Sequence, residues 1–244
     1  MKQQRTIVLL HGWGRAKSAS SYYAKTIAEF KKNGYVVYAP DLPGFGTAGV
    51  PSKPLTLHDY AEFVHEYIKK QNIQPTIFIG HSFGGRVIIQ HCSEYTFTGK
   101  AIILSGTPGV TPVKRGKILV SLIIAKIGHV IFTIPGFSLF AEKIRGWFYY
   151  LIGARDFYRA EGAMRETFKN IIKERLDDKM KIIQTPTLLL WGEEDIIVPL
   201  PVAQRMQQIF PHATLSHVPS FGHGFIVDAP VQFVKNVLQF IQSI

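Results

Sequence analysis

The stretch Phe78-Ile79-Gly80-His81-Ser82-Phe83-Gly84-Gly85-Arg86-Val87-Ile88-Ile89 places one serine among glycines and between two apolar runs. Upstream, Thr76-Ile77-Phe78-Ile79 reads as a strand, and downstream GGRVIIQHC reads as a helix. The string Gly-x-Ser-x-Gly therefore falls on a strand-to-helix turn. A turn this sharp strains the serine backbone, and glycines at 80 and 84 let strand and helix approach each other. Ser82 is expected to raise its hydroxyl above the sheet, with the helix N-terminus beneath it.

Working outward, short β-branched runs ending in glycine or a turn residue recur at 6–12 (TIVLLHG), 35–44 (YVVYAPDLPG), 76–82, 100–106 (KAIILSG) and 185–192 (TPTLLLWG). Continuous apolar runs of this length suit parallel strands covered on both faces. Helical patterns at Ser21 to Asn33, Thr56 to Gln71 and Gly84 to Tyr95 lie between them, the second opened by a threonine cap. Such alternation predicts right-handed βαβ units in an α/β, doubly wound, mostly parallel sheet. It stops after Gly106. From Pro108 to Ile182 the pattern is helical and charged, punctuated by Pro112, Pro135 and Gly136. It resumes with a helix at Val202 to Phe210, a strand at 213–219 (ATLSHVP) and a helix from Pro230 to Gln242. The expected organisation is one core in two parts, 1–107 and 183–244, with a helical insertion at 108–182.

A serine hydroxyl is a weak nucleophile until an oriented histidine takes its proton. On a turn of this kind the acid and then the histidine follow the serine in the chain. His212, His217 and His223 satisfy that order. His217 falls inside the predicted strand and His212 just before it, whereas His223, between Gly222 and Gly224, can turn inward. For the acid, Glu193, Glu194 and Asp195 compete in WGEEDIIVP, at the carboxyl end of a strand, where open α/β sheets hold ligands. Asp195, short and next to the following apolar run, is the best imidazole orienter. The loop LLHGWG supplies the remaining donor: the amides of Trp13 and Phe83 are assigned to an oxyanion hole, Gly12 and Gly14 permit close approach, and His11 is read as a turn residue.

HGWG, DLPGFG, GHSFGG, WGEEDIIVP and FGHGF, in this order, resemble the α/β-hydrolase superfamily over nearly the whole chain apart from the insertion. That resemblance implies Ser82 as nucleophile, Asp195 as orienter, His223 as base and a helical cap or lid at the insertion. Asp228 departs from the pattern, standing where a glutamate is more usual. Serine at 82 separates the chain from haloalkane dehalogenases and epoxide hydrolases, which are similar in fold but use an aspartate there. The implied activity is that of a carboxylesterase-like serine esterase, without cofactor or metal. HGWG and the basic insertion are also similar to features of the pimeloyl-carrier-protein methyl ester esterases, which would make an acidic acyl carrier a partner. A carbon-carbon bond hydrolase of the meta-cleavage type uses the same triad. A ligand receptor that kept the triad is the reading from another class.

Composition narrows the rest. With 46% apolar, 12% aromatic and 18% charged residues the chain reads as globular, neither disordered nor fibrous. Of its net charge of +11, most lies in 108–182, which holds 14 Lys and Arg against 7 Asp and Glu. Bases alternate with acids in RAEGAMRETFKNIIKERLDDK, the pattern of a solvated helix face, so no nucleic-acid partner is expected. Gly44-Phe45-Gly46-Thr47-Ala48-Gly49 matches a dinucleotide-binding string, but Pro51 and Pro54 follow and no helix can open there. The greasy run Ile118 to Ile134 is broken by Lys126 and His129 and reads as buried helix, not as a transmembrane span. Cys92, the single cysteine, is expected to pack as a small hydrophobe, and with no secretory signal visible the chain is expected in the cytoplasm. Nine aromatic residues between Phe132 and Tyr158 suggest an apolar pocket above Ser82 and a small-molecule ester with an apolar acyl or aromatic group.

Overall fold

The computed structural model describes residues 5–14, 17–110 and 162–244. The run Ile118 to Ile134 and the aromatic cluster of the insertion lie outside the described residues. Six strands, β1 (Thr6–Leu10), β2 (Val36–Tyr38), β3 (Ile77–His81), β4 (Ala101–Ser105), β5 (Thr187–Gly192) and β6 (Ala213–Val218), form one sheet in the order β2-β1-β3-β4-β5-β6. Every neighbouring pair is parallel.

Alternation within the apolar runs explains why they are continuous. Val8, Leu10, Phe78, Ile102, Leu104, Leu189 and Trp191 face one hydrophobic cluster. Their chain neighbours Ile7, Leu9, Ile77, Ile79, Ile103, Leu188 and Leu190 face the other. Both faces are therefore dry, and each such side chain contributes about 1.5–3 kcal/mol of burial. The edges are different: β2 is three residues long and β6 is half-exposed along most of its length.

Helices cover both faces. α1 (Ala19–Tyr22), α2 (Ala24–Lys32) and the C-terminal α9 (Pro230–Ser243) lie along the second cluster, to which Tyr23, Ile27, Phe30, Phe233 and Val237 belong. α3 (Leu57–Lys70), α4 (Phe83–Glu94) and α7 (Leu200–Ile209) cover the first, joined there by α5 (Gly162–Lys173) and α6 (Asp177–Ile182). A four-residue helix, α8 (Phe225–Asp228), precedes α9 and was not expected. No strand occurs among the described residues between β4 and β5. None of the described helices is long and apolar enough to cross a membrane.

α3 opens where the sequence places its cap. Thr56 accepts the amide of Asp59 at 3.3 Å, and the Asp59 carboxylate accepts the amide of Thr56 at 2.6 Å, a reciprocal capping box. The helix expected at Ser21 to Asn33 instead starts at Ala19 and divides at Tyr23. Ser18 caps this start locally, accepting the Ser21 amide at 3.3 Å, and Asp41, in the loop after β2, accepts the Ala19 amide at 2.6 Å. Cys92 is part-buried against the first cluster, and desolvation raises its thiol pKa. The strand order reverses direction at β1, which has β2 on one side and β3 on the other, so the carboxyl ends of β1 and β3 flank the crevice where such sheets bind ligands.

Candidate active site

Ser82 stands between β3 and α4 with φ 52° and ψ −115°, a left-handed backbone that costs a non-glycine residue about 1–3 kcal/mol. Neighbouring bonds hold it there: its amide donates to Ser105 O at 2.8 Å, and its carbonyl accepts the Gly85 amide at 3.1 Å. Both flanking glycines are required by contact. A Cβ on Gly80 would lie 2.5 Å from Gly85 Cα, and one on Gly84 would collide with the Leu10 carbonyl.

Asp195 follows β5 in a tight turn and is 1% exposed at its side chain. Its Oδ1 accepts the amides of Ile197 at 2.9 Å and Val198 at 2.8 Å, which fixes the carboxylate as an acceptor. The other oxygen, Oδ2, takes His223 Nδ1 at 2.8 Å. Nδ1 therefore carries the proton, a tautomer assigned from the bonding, and Nε2 keeps the basic lone pair. The imidazole rests on Gly106, the φ 57° residue after β4, where a Cβ would come within 2.8 Å of His223 Cε1 and Nδ1. Gly106 follows Ser105, whose carbonyl accepts the Ser82 amide, so the end of β4 touches both the Ser82 turn and the Asp195–His223 pair. The Ser82 hydroxyl makes no hydrogen bond among the described residues.

The other candidates sit elsewhere. Glu193 and Glu194 are exposed, His212 is exposed before β6, and His217 pairs with Glu193 at 2.6 Å on the surface. The loop after β1 lies against the serine, since a Cβ on Gly12 would be 3.2 Å from Ser82 Cβ. Neither the Trp13 nor the Phe83 amide has a partner among the described residues. Phe83 is the first residue of α4, so its N–H has no intrahelical acceptor and adds to the positive end of the helix dipole. Trp13 is ringed by Phe45 at 4.8 Å, Phe168 at 5.0 Å and Phe83 at 5.2 Å, an apolar wall next to the serine.

His11 has both ring nitrogens engaged, Nδ1 with Gly12 O at 2.8 Å and Nε2 with the Leu42 amide at 3.0 Å, and supports the turn. Gly44 and Gly46 lie in a turn, and the next helix opens only at Leu57, so no helix N-terminus faces that glycine string. Among the described residues no group of three or more His, Cys, Asp or Glu could hold a metal ion.

His81 is a site residue that the sequence reading passed over. It is fully buried inside the Gly-x-Ser-x-Gly string, and its Nε2–H donates to the His223 carbonyl at 2.9 Å. Tyr23 OH donates to its Nδ1 at 2.8 Å, which fixes that tautomer. The loop carrying His223 is thereby tied to β3. The partner lies 142 residues away, so the string itself gives no hint of it.

Known proteins share this arrangement of chain. The profile of the alpha/beta hydrolase family matches residues 7–236. The chain is 22% identical to Lipase 1 of Psychrobacter immobilis, covering 96% of this chain and 76% of the lipase. It is 21% identical to the 2-hydroxy-6-oxo-6-(2'-aminophenyl)hexa-2,4-dienoic acid hydrolase of Metapseudomonas resinovorans, covering 96% of this chain and 83% of that enzyme. In fold it is similar to an esterase from Exiguobacterium antarcticum, with a TM-score of 0.72 at 19% identity over 99% of this chain and 93% of the esterase. With an all-parallel sheet, a serine strained at the end of its third strand and a family match spanning almost every element, the chain belongs to the alpha/beta hydrolase family.

Proposed function

We propose that this chain is a serine hydrolase that cleaves a carboxylic ester with an apolar acyl or aromatic group through an acyl-enzyme. The observation that carries the reading is the pair of buried Asp195 and part-buried His223 seated on Gly106, beside a serine held in a strained turn. In this mechanism Ser82 Oγ attacks the ester carbonyl while His223 Nε2 takes its proton. The tetrahedral oxyanion is met by the Trp13 and Phe83 amides. His223 returns the proton to the departing alkoxide, which leaves as the alcohol. Water, deprotonated by the same nitrogen, then attacks the acyl-enzyme and releases the acid and Ser82.

Residues 108–182 act as a cap between the core segments 1–107 and 183–244. The contacts of α5 support this: Phe168 meets Trp13 at 5.0 Å, and Met164 fills the space over Gly44. The lone Cys92 supports a cytoplasmic location.

The test is hydrolysis of p-nitrophenyl esters from acetate to palmitate by wild type and Ser82→Ala. Wild-type turnover that falls by about 10³-fold or more in the variant is expected, and equal rates would sink the reading. A second reading, carbon-carbon bond hydrolysis of a vinylogous diketone, is favoured by the likeness to the dienoic acid hydrolase. Turnover of such a diketone with no turnover of any ester would replace the first reading with the second.

A further inference from the structure

Four residues beyond Ser82, on the first turn of α4, Arg86 is 7% exposed. Its guanidinium reaches three backbone carbonyls that are distant in sequence. Nη1 donates to Pro108 O, and Nη2 donates to Ile171 O at 2.6 Å and to Glu174 O at 2.7 Å. Pro108 lies where the chain has left β4, Ile171 is in the last turn of α5, and Glu174 follows its end. One side chain of the nucleophile helix thus gathers the chain where it departs from the sheet and where it comes back.

The chemistry suits arginine specifically. The last carbonyls of a helix have no intrahelical donor and form the negative end of its dipole. A planar guanidinium presents donors in several fixed directions, whereas an ammonium offers a point charge on a flexible stem. Burial lowers the Arg86 pKa to about 10, with Glu174 opposing the shift, so the group stays cationic at neutral pH. Neighbours extend the same seam. Glu174 accepts the Leu57 amide at 3.0 Å and lies 3.5 Å from Lys179 of α6, and Lys179 also donates to the buried Gln90 one turn along α4. Further up α5, Thr167 accepts the Leu55 amide at 2.9 Å, and Phe168 stands against Trp13.

We propose that Arg86 is a positioning residue which pins the C-terminal end of α5 and the Pro108 segment to the nucleophile helix, and thereby sets the Phe168–Trp13 wall that selects a long apolar acyl group. The selectivity part rests on the serine hydrolase reading; the pinning does not. It is tested with Arg86→Met and Arg86→Lys, using p-nitrophenyl acetate and octanoate with rates normalised to titrated Ser82. Arg86→Met lowers kcat/KM on octanoate by about tenfold through KM and changes acetate by less than about twofold. Arg86→Lys keeps the cation but fewer bonds, so it falls between and stands in if the methionine variant does not fold.

Equal losses on both esters would reduce Arg86 to a stabilising role and overturn the selectivity. Hydrogen exchange of the α5 amides reads the pinning without any activity. Exchange faster by about tenfold in Arg86→Lys is expected, and unchanged exchange overturns the pinning. If wild type shows no Ser82-dependent turnover, the hydrolase reading and the selectivity fail together, while the exchange result still decides the pinning.

Discussion

His223 with Asp195 and His217 with Glu193 are built from the same two segments: the acids are two residues apart after β5, and the histidines lie on either side of the end of β6. The nitrogen-to-oxygen distance is 2.8 Å in the first pair and 2.6 Å in the second. Side-chain exposure separates them, at 16% and 1% against 49% and 40%. Proximity is therefore not what sets the two pairs apart. In water the charges of an exposed pair are screened and the side chains move. Asp195 is instead fixed by two amides on its far oxygen, and His223 is wedged on Gly106 and tied through its carbonyl to His81. A carboxylate that cannot turn away is what holds the imidazole in one tautomer.

Replacing Asp195 by Asn attacks that difference most directly. The amide keeps the shape but can offer N–H where the ring needs an acceptor, so the wrong tautomer is stabilised. The expected outcome is a fall in kcat of about 10³- to 10⁴-fold with little change in KM. A loss below about tenfold, measured per folded molecule, would mean that the buried pair is no more catalytic than the exposed one.

His91 supplies a third environment, burial without an acid. It lies in α4 against Phe78 at 5.2 Å and Tyr95 at 5.1 Å, is 4% exposed, and has no partner for either ring nitrogen among the described residues. Desolvation, helped by His65, lowers its pKa to about 4. The native state then binds fewer protons than the unfolded chain between that value and the usual 6.5, so the His91 contribution is complete above 6.5 and is lost as pH falls through about 4. The full span is worth at most about 3 kcal/mol. His91→Phe should remove part of the acid sensitivity: the drop in urea midpoint between neutral pH and pH ~4.5 becomes smaller than in wild type. An unchanged drop would place the acid sensitivity on other groups.

Much of this was legible in the chain. Five of the six strands fall within continuous apolar runs, and the four buried on both faces, β1, β3, β4 and β5, left the strongest local trace, whereas the half-exposed β6 was read as a strand from the mixed stretch ATLSHVP. Ser82 could be singled out because a strained strand-to-helix turn demands glycines at fixed offsets. Asp195 could be preferred over Glu193 and Glu194 by its short side chain and its place before the next apolar run, and His223 over His217 and His212 by its place in a glycine-flanked loop. Glu193 and His217 belong to the same stretches, and what distinguishes them is tertiary: which face of the turn is covered and which carbonyls lie nearby. His81 and Arg86 left no trace of their roles. Both act through carbonyls at least 85 positions away for His223, Ile171 and Glu174, and a carbonyl belongs to every residue type. Recognition of backbone is invisible to a reading based on side chains.

The smallest expected effect tests the other half of the comparison. Glu193→Gln removes the charge from the exposed pair while leaving a side chain of the same length that can still accept a hydrogen bond from His217. An exposed pair of this kind contributes about 0–1 kcal/mol, and near the surface its field is screened before it reaches the His223 imidazole. The variant should keep kcat/KM within about twofold of wild type and shift Tm by less than about 2 °C, read by ester hydrolysis and thermal melting in the same buffer. A tenfold loss of kcat with Tm unchanged would show that Glu193 shares in orienting the base, so that the acid of this site is a pair of carboxylates instead of Asp195 alone.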